Sequence, residues 1–226
     1  MKKTVFLLDI DEYEQEITEL TYPLINRWAE KIGAGVFVIK ERKFPEWPIC
    51  CEKMQIYSLA KLYRSDWNIY LDLDTVVHPA FFDPTEHLSK DTVAHFMHDE
   101  ATVRWSLDNY HRRDGRFIGG GGWMSIASDW CLDLWHPPLP GTRSFLTMNI
   151  TPTVMEIKAG LKPEHFLDEY IMSRNIARYG LKYIDVYQIM KRLGISDTNW
   201  IFHKYALSRE QKLERIRTLI EAWGVR

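Results

Sequence analysis

A chain of 226 residues with 46% hydrophobic and 27% charged side chains has the balance of an ordinary folded domain, which excludes a disordered or fibrous chain. With 29 Lys and Arg against 31 Asp and Glu, no net field draws in nucleic acid or an anionic membrane, so polyanion binding is not expected. Three cysteines, with Cys50 and Cys51 adjacent, supply neither a disulfide framework nor zinc-site spacing, and point to a reducing, cytoplasmic compartment.

Nine Trp, eleven Tyr and ten Phe are more than a core of this size needs. Rings with polar tips line sugar and nucleotide clefts, although core packing accounts for many of them. The apolar run Thr4 to Leu8 stops at Asp9, short of the roughly 7–15 residues of a signal peptide, and reads as a buried first strand. Asp9 and Asp11 follow it; they either hold a nucleobase or ribose or simply form a turn. Tyr13 is grouped with Asp9 as a nucleotide contact. Ile17, Leu20, Leu24, Ile25, Trp28 and Ile32 recur at helical spacing before Gly33, and Val36 to Ile39 is a second strand, completing a βαβ unit.

The prolines of Phe44-Pro45-Glu46-Trp47-Pro48 make a loop. A helix is expected from Cys50 to Arg64 with Met54, Ile56, Leu59, Ala60 and Tyr63 inward. Lys53 and Arg64 on it read as surface charges, with phosphate contact the alternative for Lys53. Trp67 to Leu71 is a third strand, ending in Asp72-Leu73-Asp74. A further strand covers Thr92 to Met97, and the polar stretch His98 to Arg116 reads as a long loop or lid. Gly119 to Gly122 precede a strand at Trp123 to Ala127 and a helical turn near Ser128. Phe166 to Tyr179 is a helix closed by Gly180, followed by strands at Lys182 to Val186 and Asn199 to His203. Ser208-Arg209-Glu210-Gln211 has the spacing of a capping box that opens a last helix. No stretch approaches the roughly 18 apolar residues of a membrane span.

The chemistry centres on Asp72 and Asp74. In open α/β sheets ligands bind beyond the carboxyl ends of strands. Alternation along an extended segment puts these two carboxylates on one face, able to share a hard divalent cation, manganese or magnesium. Such a cation neutralises a diphosphate and helps it leave. The competing reading of the pair is a turn cap, although two charges at a buried strand's end are costly without partners. Gly121 and Gly122 permit either a tight turn or close backbone approach to a ligand. Asp168 and Glu169 stand at a helix start, where acidic residues also favour the dipole without a catalytic role. His95 and His98 have strand-like spacing but no evident third metal ligand.

Around Trp67 to Val77, the βαβ unit before it and the Lys-bearing helix, the chain resembles the GT-A glycosyltransferases, especially compact ones related to glycogenin and the lipopolysaccharide galactosyltransferases. The resemblance runs from Phe6 to about Lys204, and only Asp72-Leu73-Asp74 is specific. It implies a three-layer α/β sandwich with a mostly parallel central sheet flanked by helices. One domain, residues 1–226, would bind the nucleotide in about 1–97 and the acceptor in about 98–226. It also implies a metal-dependent hexosyltransferase moving sugar from a nucleotide-sugar, UDP- or GDP-linked with uridine the commonest donor, to a carbohydrate or other hydroxyl. Gly119 to Met124 is similar to a segment near donor and acceptor, and Phe166 to Tyr170 to an acidic helix start whose Asp168 and Glu169 approach the transferred sugar. His203 is similar in position to a late histidine that completes the metal site, but the Gly and Lys-Pro-Trp that usually follow are absent. The rival is a haloacid-dehalogenase-type phosphatase, since Asp9-Ile10-Asp11 also ends an apolar strand and an Asp could attack phosphorus. A sugar-binding module would account for the Trp content but is more often all-β.

Overall fold

The structure, a computed structural model, describes residues 1–11, 14–96, 122–150, 154–158, 160–195, 200–203 and 207–225. Eight strands are present among them: β1 (Lys3–Leu8), β2 (Ala34–Ile39), β3 (Trp67–Leu71), β4 (Val76–Val77), β5 (Thr92–His95), β6 (Met124–Ser128), β7 (Lys182–Asp185) and β8 (Ile201–Phe202). The helices are α1 (Gln15–Lys31), α2 (Ile56–Tyr63), α3 (Arg143–Thr147), α4 (Val154–Lys158), α5 (Leu167–Tyr179), α6 (Val186–Arg192) and α7 (Arg209–Trp223).

Six strands form one sheet in the order β2-β1-β3-β6-β5-β7. Every neighbouring pair is parallel except those of β6, which runs antiparallel to both β3 and β5. The pleat sorts the strands' side chains to two faces. Val5 lies level with Val36 and Ile69, Ile69 with Ile126, Ile126 with Ala94 and Ala94 with Ile184. That row packs with Ile25, Trp28 and Ala29 of α1 and Val186 and Met190 of α6. One residue along, Phe6, Tyr70 and Ala127 face the other way, onto Met54, Ile56, Leu59 and Ala60 around α2 and Tyr170, Met172 and Ile176 of α5. The result is the expected three layers: a mixed, largely parallel sheet between helices. Each large apolar side chain so buried contributes about 1.5–3 kcal/mol relative to exposure.

Local signals account for several ends. Gly33 follows α1 at φ 69°, and Gly180 ends α5 in the left-handed conformation. Ser208 and Gln211 form the expected capping box at the start of α7. None of the described helices is long and apolar enough to cross a membrane.

Other expectations are corrected. The helix foreseen over 50–64 is a 3-10 turn, Ile49–Gln55, running into α2. Buried Glu52 accepts from the backbone N–H groups of Lys43 (2.9 Å) and Phe44 (3.0 Å) and from Gln55 Nε2 (2.8 Å). A 3-10 turn brings residues three apart, as Glu52 and Gln55 are, into line. Tyr63 is 39% exposed rather than inward, lying over Phe37 at the rim. The strand placed at 123–127 is shifted by one, because Trp123 is spent in a turn. The helical turn near Ser128 is a 3-10 turn at Leu132–Trp135. The last strand shrinks to Ile201–Phe202 and leaves the main sheet to pair with β4. β7 stops at Asp185, whose side chain accepts from the Tyr187 N–H and opens α6. The stretch from His98 to Arg116, Tyr13 and Gly121 lie outside the described residues.

Candidate functional site

The site is assembled at the carboxyl end of β3. Beyond Leu71 the backbone turns: Asp72 N–H donates to the Trp123 carbonyl (2.8 Å) and Thr75 N–H to the Asp72 carbonyl (3.0 Å). Thr21 of α1 donates its hydroxyl to the Leu73 carbonyl at 2.6 Å, holding the turn against the sheet. Asp72 and Asp74 therefore converge because of a turn, and the extended alternation expected of them is not what aligns them.

β4 follows at once and pairs with β8, Val76 opposite Phe202 and Val77 opposite Ile201. Continuing that antiparallel register by one residue sets His203 beside the Asp72–Asp74 turn. Its Nε2 lies 3.2 Å from Asp74 Oδ1 and 3.5 Å from Asp72 Oδ2. Trp123 stacks on the imidazole with ring centroids 5.2 Å apart and planes 12° from parallel. One ligand atom from each of Asp72, Asp74 and His203 falls within 4.8 Å of the others. Two carboxylate oxygens and an imidazole nitrogen suit a divalent cation such as manganese or magnesium, so the residues present fit the metal that the resemblance implies.

Two lysines complete the arrangement, and sequence reasoning missed the placement of both. Lys53, read as a surface charge with phosphate contact the alternative, is 2% exposed. Its ammonium lies 2.5 Å from Asp168 Oδ2 and 3.6 Å from Asp72 Oδ1, donates to the Gly122 carbonyl (2.7 Å) and sits 4.4 Å above the Tyr70 ring. Burial disfavours its charge, but Asp168 and Asp72 outweigh that and hold its pKa well above the ordinary lysine value. Tyr70 donates its hydroxyl to Asp72 Oδ1; burial and the Asp72 charge push its pKa up, so it stays a donor. Gly122 leaves room for the Lys53–Asp168 pair. A Cβ there would lie 2.6 Å from Asp168 Oδ2 and 3.4 Å from Lys53 Nζ. Asp168, in the first turn of α5, is thus tied to the metal-side carboxylates through Lys53. Lys212 of α7 donates to Asp74 Oδ2 at 2.7 Å and lies 3.5 Å from Glu14 Oε2. No sequence signal marked it beyond its place on the last helix.

The remaining candidates fall elsewhere. Glu169 is half-buried and its charge is felt by Tyr183 of β7; it is not in the Asp72–Asp74–His203 group. Asp9 is half-buried beyond β1, its N–H donating to the Ile39 carbonyl (2.9 Å), and Asp11 is exposed at φ 62°. Among the described residues neither forms an ion pair with a lysine, as a phosphatase nucleophile would need. His95 is fully buried in β5, 3.0 Å from the Ser125 hydroxyl.

Burial opposes ionisation of Asp74, but the His203 and Lys212 charges overcome it and hold its carboxyl well below the usual range. Burial likewise opposes a charged His203, and Asp74 and Asp72 override it, raising the imidazole pKa. A cation bound through Nε2 must displace that proton. Manganese affinity, measured by electron paramagnetic resonance, is therefore expected to climb by about tenfold per pH unit below the raised pKa and level off above it. His203→Gln should flatten this slope; a pH-independent affinity in the native chain would remove His203 from the ligand set.

Among solved structures, the chain is similar to a glycosyltransferase involved in the glycosylation of the major capsid of PBCV-1. The match spans 96% of this chain and 100% of that one, with 13% sequence identity and a TM-score of 0.57. The likeness shows a shared fold of GT-A-like architecture. No protein-family model and no curated protein matches the sequence.

Proposed function

We propose that this chain is a metal-dependent glycosyltransferase that moves a hexosyl group from a nucleotide-diphospho-sugar, UDP-linked by preference, to a hydroxyl acceptor. The observation that carries the reading is the convergence of Asp72, Asp74 and His203 at the end of β3, in a fold shared with a glycosyltransferase. When bound, a divalent cation would neutralise the diphosphate and ease departure of the nucleotide.

The chain's own residues divide the remaining work. Asp72, Asp74 and His203 hold the cation. Lys53 neutralises Asp168 and steadies Asp72, while Tyr70 donates to the same Asp72 oxygen. Asp168 is 3% exposed and paired, which favours orienting the sugar or supporting a cationic transition state over accepting the acceptor's proton as a free base. Gly122, with no side chain, keeps the backbone close to this pair. In this proposal residues 1–97 supply most of the nucleotide side and 98–226 the acceptor side of one domain, with His203 and Asp168 reaching back from the second part to the cation and the transferred sugar.

The discriminating experiment is thermal unfolding with ligands. A uridine or guanosine diphosphate with manganese, at about 100 times its dissociation constant, adds about 2.7 kcal/mol to the folded state. For a chain of this size that raises the melting midpoint by about 5–10 °C. The rise should vanish without metal and in Asp72→Ala or Asp74→Ala. Stabilisation by phosphate analogues but no nucleotide would favour the phosphatase, and by free sugars alone a binding module. No shift with any nucleotide and metal pair at millimolar concentration would end the glycosyltransferase reading.

A further inference from the structure

Lys212 is unusual in that it is bonded to an oxygen of a candidate metal ligand. Its ammonium lies 2.7 Å from Asp74 Oδ2, while Asp74 Oδ1 faces His203 Nε2 at 3.2 Å. The side chain is 10% exposed, and Glu14, 15% exposed, stands on its other flank at 3.5 Å. Glu14 immediately precedes α1 with a left-handed backbone, φ 52°, and α1 packs on α7. Among the described residues this lysine thus meets two acids, one of them in the metal group.

We propose that Lys212 is an in-chain counter-ion of the Asp72–Asp74–His203 group, which holds Asp74 when no metal is bound and shifts towards Glu14 when a divalent cation binds. The inference rests on the metal reading of the site. Its physical basis is charge. Without a cation, Lys212 offsets the paired carboxylates, its desolvation cost having been met when the chain folds rather than when the metal leaves. A dication held by Asp74 would repel a lysine bonded to the same carboxylate. Among the described residues Glu14 supplies an alternative anion, so Lys212 need not be stranded. Metal entry is thereby linked to the contact between α7 and the start of α1. A bare cation binds less tightly than the three ligands alone would allow.

Manganese binding in the absence of nucleotide, read by electron paramagnetic resonance of the free ion, tests this with the full chain. Lys212→Met should bind manganese about tenfold more tightly than the native chain, because the competitor is gone. It should also melt lower when metal-free. Glu14→Gln should bind manganese several-fold more weakly, since Lys212 loses its second partner. The double variant should match Lys212→Met, because Glu14 acts only through the lysine. Unchanged or weaker manganese binding in Lys212→Met, or an equal effect of Glu14→Gln with and without Lys212, would overturn the proposal. Should Lys212→Met not fold, Glu14→Gln and Lys212→Gln carry the same comparison. Failure of the metal reading itself is seen separately, as no manganese binding by the native chain or full binding by Asp74→Asn.

Discussion

For the proposed sugar transfer, Asp74→Asn is expected to lower turnover by about three orders of magnitude, with the fold intact. A loss of about 4 kcal/mol of transition-state stabilisation corresponds to about that factor, and removing the charge that holds a catalytic cation is an effect of this size. The amide keeps the shape of the carboxylate and can still meet Lys212, which also has Glu14 at 3.5 Å, so no charge is left stranded in the core. The measurement is metal-dependent turnover of a panel of nucleotide-sugars, with circular dichroism to confirm folding. Excess chelator should reduce the native chain to the same level. Full activity of the native chain in chelator, or less than a tenfold loss in Asp74→Asn, would exclude a metal held by Asp74.

Lys53→Ala should be the most destabilising single change at the site, by about 3–5 kcal/mol. The reason is the charge it leaves behind. Asp168 has a side chain 5% exposed and Lys53 lies 2.5 Å from it, so removing the lysine strands a carboxylate that cannot reach water. In a chain of this length that lowers the melting midpoint by about 6–20 °C. Lys53→Met separates the causes: it retains the aliphatic packing over Tyr70 and should lose nearly as much. Removing both charges, as Lys53→Met with Asp168→Leu, should recover most of the loss, because replacing a buried pair with apolar groups is often close to neutral. A loss below about 1 kcal/mol in Lys53→Ala, read by denaturant unfolding, would show that the pair is solvated and that Asp168 is not positioned by it.

What the sequence determined by itself was local. The apolar run Trp67 to Leu71 ending in two acids located β3 and marked Asp72 and Asp74 as candidates, because two charges at the end of a strand buried on both faces are costly without partners. Gly33, Gly180 and the Ser208 capping box marked helix ends for the same kind of reason, since each acts through backbone atoms within a few residues. The apolar runs of β1 and β2 with helical spacing between them sufficed for a βαβ unit, and the three-layer arrangement was what the family resemblance implied. Only the tertiary structure decided what these pieces meet. β6 runs antiparallel between β3 and β5, and the carbonyl of Trp123, in the turn just before it, accepts from the Asp72 N–H. The two-residue strands β4 and β8 are too short for any periodicity, yet their pairing is what delivers His203. Lys53 read as a surface charge because its partners, Asp168 and the Gly122 carbonyl, come from distant segments. Lys212 reaches Asp74 across 138 positions of chain. Whether a lysine is solvated or buried depends on which acids the fold carries to it, and that is a property of packing over the whole chain rather than of neighbouring residues.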